Sequence, residues 1–155
     1  AFKESRLVKH AYTIEEFLVK EFEAGKFGSA LFTSSHKQVV LHGHCHQKAL
    51  SEVSYSAKLM SIPQNYHVET LNTGCCGMAG SFGYEKEHYD VSMQVGELVL
   101  FPSVRQCEFQ TIVAAPGTSC RHQIYDGTKR KAQHPIEVLY NALTTKKLND
   151  WEEEY

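Results

Sequence analysis

Apolar residues repeat at helical spacing near both ends of the chain. In the stretch TIEEFLVKEFEAG, Thr13 is followed three residues later by Glu16, a spacing typical of a helix N-terminal capping box. The apolar positions then recur every three or four residues, and Gly25 is placed to end the helix. In HPIEVLYNAL, Pro135 occupies a favourable first position and the apolar residues again share one face. Both segments are therefore predicted to be α-helices.

Three short runs between these helices have the composition of β-strands. They are VVL at 39–41, YHVETL at 66–71 and FQTIVAA at 109–115. Helical patterns follow the first two strands, in QKALSEVSYSAKLM and in 85–100, and the second of these is predicted to be closed by Pro102. Alternating strands and helices predict an α/β fold, a parallel sheet flanked by helices.

Four of the five cysteines follow these strands directly. Cys45 comes after the first strand, Cys75 and Cys76 after the second, and Cys120 after the third. Because the C-terminal ends of parallel strands share one edge of a sheet, we expect the Cys-bearing loops to meet at the strand C-terminal edge. Cys107 precedes the third strand, so we expect it toward the opposite edge as a half-buried, unreactive thiol.

Composition narrows the possible partners and compartment. The 155 residues are 42% hydrophobic and carry a net charge of −2, which gives no reason to propose nucleic acid as a partner. No apolar run approaches the roughly 20 residues of a membrane span. Five cysteines, an odd number without the spacing of a disulfide scaffold, favour a reducing compartment. We therefore predict a cytoplasmic protein, with peripheral contact to the inner face of a membrane left open.

Clustered thiols in a reducing compartment indicate a metal or iron–sulfur site, because thiolates are preferred ligands of zinc and of such clusters. Three histidines are predicted to lie around this site, behind the ligands or in place of one: His44, His46 and His122. Three glycines are predicted to permit its close turns: Gly74, Gly77 and Gly117. Two alternatives remain open, a structural zinc-binding interaction module and a metal-free thiol–disulfide redox domain. No catalytic residue is assigned.

Several motifs together resemble a known family. HCHQKAL, TGCCGMAGSFGYEKEHYDVSMQVGE, LFPSVR, GTSCRHQI and HPIEVL are similar to the cysteine-rich CCG domain of proteins such as heterodisulfide reductase. In particular, they resemble the C-terminal region of fused FAD- and iron–sulfur-dependent dehydrogenases of D-2-hydroxy acids such as D-lactate. The resemblance covers roughly residues 36 to 143 and is most specific between positions 74 and 97.

The resemblance implies an electron-transfer part of an oxidoreductase. Its metal ligands would be Cys45, Cys75, Cys76 and Cys120, holding a 4Fe-4S cluster or zinc. The fullest family pattern ends in C-x-x-C, whereas this chain has Gly117 at the penultimate cysteine position. Four thiols rather than five do not match the ligand set of the non-cubane cluster associated with the complete pattern.

The resemblance also implies partners and a division of the chain. The partners are FAD-binding and ferredoxin-like domains of the same polypeptide or complex, and FAD is expected only in that remainder. Residues 1–35 are predicted to be a helical lead-in, 36–145 the CCG domain and 146–155 an acidic tail. Because the chain carries no flavin-binding signature and begins with Ala rather than Met, we expect a fragment without dehydrogenase activity of its own.

Overall fold

The structure, a computed structural model, describes residues 11–50 and 52–144, with the side chain of Leu50 left out. The predicted acidic tail at 146–155 lies outside the described residues. Within them, three strands alternate with seven α-helices, which we number in chain order. The elements are α1 Ile14–Glu23, β1 Lys37–Leu41, α2 Cys45–Leu50, α3 Ser54–Met60, β2 Tyr66–Thr70, α4 Tyr89–Leu98, α5 Leu100–Gln106, β3 Ile112–Ala114, α6 Thr118–Thr128 and α7 Pro135–Asn141.

The three strands form a parallel sheet in the order β2-β1-β3. The register pairs Leu41, the last residue of β1, with Thr70 of β2 and Ala114 of β3. The three strands therefore end together at one edge, which is where ligands bind in open sheets of this kind. The predicted α/β fold, with a parallel sheet flanked by helices, is confirmed.

The central strand divides the core into two parts because its side chains alternate between the faces. Val39 and Leu41 pack with α1, α3 and α7, whereas Val40 packs with α5 and α6 on the other face. Cys76 and Cys120 belong to this second part of the core. Two of the predicted site residues are thus anchored among buried apolar side chains.

Both terminal helices begin as the sequence predicts, although the capping groups differ in detail. Thr13 Oγ1 accepts a hydrogen bond from the backbone N–H of Glu16 at 3.2 Å, but the Glu16 carboxylate pairs with Lys20 instead of closing the box. Helix α7 has the complete box, in which His134 caps the helix and Glu137 accepts from the His134 backbone N–H. An N-cap histidine was not anticipated, since Ser, Thr, Asp and Asn are the preferred N-cap residues.

The helical prediction over 85–100 was wrong in its bounds. The chain forms α4 and then α5, and Pro102 lies at the third position of α5 instead of closing a helix. The first backbone N–H groups of a helix have no intrahelical acceptor, so a proline there sacrifices no hydrogen bond. None of the helices within 11–50 and 52–144 is long and apolar enough to cross a membrane.

Arg130 holds the turn before β3, and its replacement is expected to destabilise the protein. Its guanidinium donates to the backbone carbonyls of Cys107, Glu108, Phe109 and Thr111. Arg130→Met leaves these acceptors to solvent, and we expect a loss of about 2 kcal/mol in the free energy of unfolding, measured by urea titration. Lys131→Met is the matched control, because Lys131 is exposed and should change stability by less than about 0.5 kcal/mol.

Candidate metal centre

The four predicted ligand cysteines lie beyond the C-terminal ends of the three strands. Cys45 is the first residue of α2, and Cys120 lies in the first turn of α6. Cys75 and Cys76 occupy the irregular segment that follows β2. Two of the four thiols therefore start helices instead of lying in loops, because the turns from β1 and β3 into their helices are short.

A compact group of three donors lies at the centre of this edge. The ligand atoms of His42, Cys76 and Cys120 are all within 4.8 Å of one another. The three residues are 1%, 3% and 1% exposed, so all three side chains are buried. We call these residues the buried trio. Its members come from the segments that follow β1, β2 and β3, respectively.

The imidazole of His42 has one bonded and one unpartnered nitrogen. Nδ1 lies 2.6 Å from Thr73 Oγ1, which fixes the orientation of the ring. Nε2 is buried without a hydrogen-bond partner. An unsatisfied buried nitrogen costs free energy, and a metal ion bound by Nε2 would supply the missing partner. With Nδ1–H donating to Thr73, Nε2 would carry the lone pair that a metal needs.

The two thiols of the buried trio shift each other's pKa in opposite directions. The pKa of Cys76 is lowered chiefly because the Cys120 thiol donates a hydrogen bond to it, although burial of the sulfur opposes this shift. The same bond, together with burial and the neighbouring charges of Cys45 and Cys75, raises the pKa of Cys120. Cys76 is therefore favoured as the thiolate and Cys120 as the thiol.

Metal binding is expected to release about one proton per ion, because the Cys120 thiol must ionise while Cys76 is already a thiolate. The sign follows from the raised pKa of Cys120: apparent metal affinity should rise with pH across the neutral range. Proton release on adding Zn²⁺ in weak buffer with a pH indicator measures the effect. Cys107→Ser, at a remote thiol, should leave the release unchanged, whereas no release from the unaltered chain would contradict this assignment.

Cys45 and Cys75 lie at the rim of the site and not within the buried trio. Both are exposed, and Cys75 Sγ accepts a hydrogen bond from the backbone N–H of Gly77 at 3.3 Å. Partial burial of its sulfur raises the pKa of Cys75, which keeps it protonated near neutral pH. The structure thus brings all four thiols to one edge but places only two of them in contact distance of a shared ion.

The three histidines predicted to lie around the site differ in what they contact. The His44 ring packs against Gly117, where an added Cβ would meet His44 Cδ2 at 2.3 Å and Cys120 Sγ at 3.1 Å. His46 is exposed, with its ring centroid 6.2 Å from that of His44. His122 is exposed and bonds through Nδ1 to the Tyr84 hydroxyl at 2.8 Å. Among these three, His44 is the one packed beside the buried trio.

Two cavities lie beside His44 and His46, and one of them reaches the buried trio. The nearer one, of about 420 Å³, is lined by His44, Cys45, His46, Cys76, Ala79, Gly80 and Ser119. A second cavity, of about 560 Å³, shares the His44 and His46 walls and extends to Glu15 and Glu16 of α1. Because Cys76 also lines the nearer cavity, that cavity connects the trio with its surroundings.

The glycine predictions have different outcomes. Gly77 has φ +102°, and an added Cβ would lie 2.1 Å from the Ser92 carbonyl oxygen, so both its conformation and its size are required. Gly117 has an ordinary φ of −73° and is required for space, because His44 and Cys120 pack against it. Gly74 lies outside the left-handed region and has nothing within 4 Å of its Cβ position. The geometry therefore does not require glycine at position 74.

Gln123 fixes the Cys76 segment and was not identified from the sequence. Its buried amide donates to the carbonyl oxygen of Ser92 at 3.0 Å and to its hydroxyl at 2.9 Å. The Ser92 hydroxyl in turn contacts Met78 Sδ at 3.9 Å. These contacts join α4 and α6 to the backbone that carries Cys76, which restricts the position of its sulfur.

Cys107 takes no part in this site. It caps the C-terminal end of α5, is half-buried and donates its thiol hydrogen to the Ser103 carbonyl at 3.2 Å. Burial raises its pKa, which disfavours the reactive thiolate. The prediction of a half-buried thiol before the third strand is confirmed.

The chain is similar to parts of larger dehydrogenases. It is 32% identical over 108 residues to a subunit of the anaerobic glycerol-3-phosphate dehydrogenase of Escherichia coli, covering 68% of this chain and 26% of that protein. It is also 33% identical over 76 residues to the D-2-hydroxyglutarate dehydrogenase of Pantoea ananatis, covering 49% of this chain and 7% of that protein. The enzyme of that name from Pseudomonas putida is 36% identical over 70 residues, with 45% and 7% covered.

The chain thus spans about a quarter of the first of these relatives and a much smaller share of the other two. No family model matches the chain. No solved structure matches it either. The similarity therefore relates this region to oxidoreductases that are considerably longer than the chain.

Proposed function

We propose that this chain is the cysteine-rich CCG domain of an FAD- and iron–sulfur-dependent oxidoreductase that acts on a D-2-hydroxy acid. Similarity to two kinds of dehydrogenase supports the oxidoreductase assignment, and the small share of each relative supports a role as one part of a larger protein. The FAD-binding and ferredoxin-like parts would lie in the same polypeptide or complex, with residues 36–145 as the CCG domain. We place the assembly in the cytoplasm.

The observation that carries this proposal is the buried trio at the carboxyl edge of the sheet. Two thiols and one imidazole with an unpartnered nitrogen form a soft donor set that suits iron, an iron–sulfur cluster or zinc. An iron-containing group in this position would accept and pass on single electrons. The residues therefore fit a metal centre, and Cys76 and Cys120 pack among buried apolar side chains.

The roles of the surrounding residues follow from their positions. His42, Cys76 and Cys120 would hold the metal directly, while Thr73 orients the His42 ring. Cys45 and Cys75 lie at the rim and would become further ligands of a larger group such as a 4Fe-4S cluster. That enlargement requires both sulfurs to turn inward, since they lie outside the compact group of three donors.

Metal analysis of protein purified without oxygen tests the proposal. We expect iron with acid-labile sulfide, or zinc, in stoichiometric amount, and loss of the metal in Cys76→Ser. Cys107→Ser is the matched control, because its thiol lies outside the site. Protein that binds neither iron nor zinc, before and after anaerobic reconstitution, would rule out the metal centre.

A structural zinc module is the second candidate, because the spacing of the buried trio is compatible with a single ion. Donors within 4.8 Å of one another suit one ion. In that case a chelator should lower the unfolding midpoint without any redox signal. A metal-free thiol–disulfide domain would instead show one cysteine alkylated much faster than the others.

A further inference from the structure

We propose that the buried trio binds a single metal ion whose fourth coordination position opens into the 420 Å³ cavity and takes an exchangeable small anion. This inference rests on the proposed metal centre and specifies its coordination. It differs from a closed four-cysteine site in two respects. His42 is a ligand, and one position is left for a molecule from outside the chain.

The spacing of the donors supports a single ion. Ligands bound tetrahedrally at about 2.3 Å from a zinc-sized ion lie about 3.8 Å apart. The trio's ligand atoms all fall within 4.8 Å of one another, so small side-chain movements bring them to that geometry. In a four-iron cluster each thiolate binds a different iron, and its ligand atoms must lie farther apart than those around one ion.

No other His, Cys, Asp or Glu donor within the described residues lies within 4.8 Å of all three ligand atoms of the trio. The trio is the one compact set of His, Cys, Asp and Glu donors found within 11–50 and 52–144, and neither Cys45 nor Cys75 belongs to it. Cys75 is held outward by the hydrogen bond from the Gly77 N–H. Three protein ligands and an open fourth position are typical of zinc sites that bind an exchangeable water or substrate.

The cavity supplies the space and the chemistry for a fourth ligand. Cys76 belongs both to the trio and to the cavity wall, so an ion held by the trio would lie beside that cavity. Its polar lining consists of His44, Cys45, His46 and Ser119, without a carboxylate. Imidazole N–H and hydroxyl groups donate hydrogen bonds to an anion, whereas a carboxylate would repel one. The lining therefore selects a small anion such as a thiolate or carboxylate.

Cobalt substitution tests the open position directly. The full chain is loaded anaerobically with one equivalent of Co²⁺, and its visible absorption is followed while azide is added. We expect intense bands of a four-coordinate cobalt–thiolate centre and a shift of these bands that saturates with azide and reverses on dialysis. Cys45→Ser should retain one cobalt per chain, Cys107→Ser, at a thiol outside the site, should retain both the cobalt and the azide response, and His42→Ala should lose the cobalt.

The outcomes separate this inference from the function on which it rests. Cobalt or zinc bound without any response to azide would overturn the open position alone. If the unaltered chain showed no response to azide and the cobalt bands of Cys45→Ser were shifted, Cys45 would be the fourth ligand. That result would also overturn the open position. Four irons with matching sulfide would overturn the single ion while supporting the metal centre. Failure to bind cobalt, zinc or iron would overturn both proposals.

Discussion

Replacing His42 with alanine is expected to abolish stoichiometric metal binding. The substitution removes the only imidazole of the buried trio and leaves two thiols that cannot complete a stable site. Loss of a residue that merely orients a ligand costs about 10- to 100-fold in metal affinity, so loss of the ligand itself should cost at least about 100-fold. Competition with a coloured chelator, followed by metal analysis after gel filtration, measures the affinity.

Two further variants make this result specific. His122→Ala should bind metal normally, because His122 is exposed and hydrogen-bonded to Tyr84. Thr73→Val should retain the metal with reduced affinity, since it removes the hydroxyl that holds His42 Nδ1. If His42→Ala bound metal as tightly as the unaltered chain while His122→Ala did not, the assignment of ligands would be wrong.

Replacing Gly77 with alanine is expected to destabilise the protein and displace Cys76. The added Cβ would lie 2.1 Å from the Ser92 carbonyl oxygen, and the backbone has φ +102°, which L residues with side chains rarely adopt. Relief of this overlap requires the backbone around Gly77 to move away from α4. We expect a loss of about 3 kcal/mol or more in the free energy of unfolding, measured by urea titration.

Gly74→Ala is the matched control in the same glycine-rich segment. Nothing lies within 4 Å of its Cβ position, so we expect a change of at most about 0.5 kcal/mol. Equal destabilisation by the two substitutions would show that the segment depends on general flexibility. The unequal result would instead place the requirement at the contact between Gly77 and Ser92.

The fold could be predicted because its elements carry local signals. Thr13, Gly25 and Pro135 stand at the ends of helices where their backbone preferences are satisfied, and the structure uses each of them there. The break between α4 and α5 could not be predicted from such local signals. Proline is compatible with the first turn of a helix as well as with its end, so the position of Pro102 does not decide between the two.

The candidate site was predictable in its location but not in its composition. Parallel strands with cysteines at their ends indicate the edge at which thiols gather. They do not reveal which side chains turn inward. His42 directly follows Leu41, the last residue of β1, so it lies after a strand end as the four cysteines do. The sequence pattern instead drew attention to His44 and His46, the histidines on either side of Cys45. Gln123 was hidden for another reason, because its partner Ser92 lies 31 positions away.

The order of the ligands along the chain has a consequence for biosynthesis. The buried trio takes one donor from each of three segments, and Cys120 is the last of them to leave the ribosome. The donor set therefore cannot be complete until all three strands have emerged and α6 has begun to form. Insertion of a metal would accordingly be a late event in synthesis, and until then the Cys76 thiol would be open to oxidation.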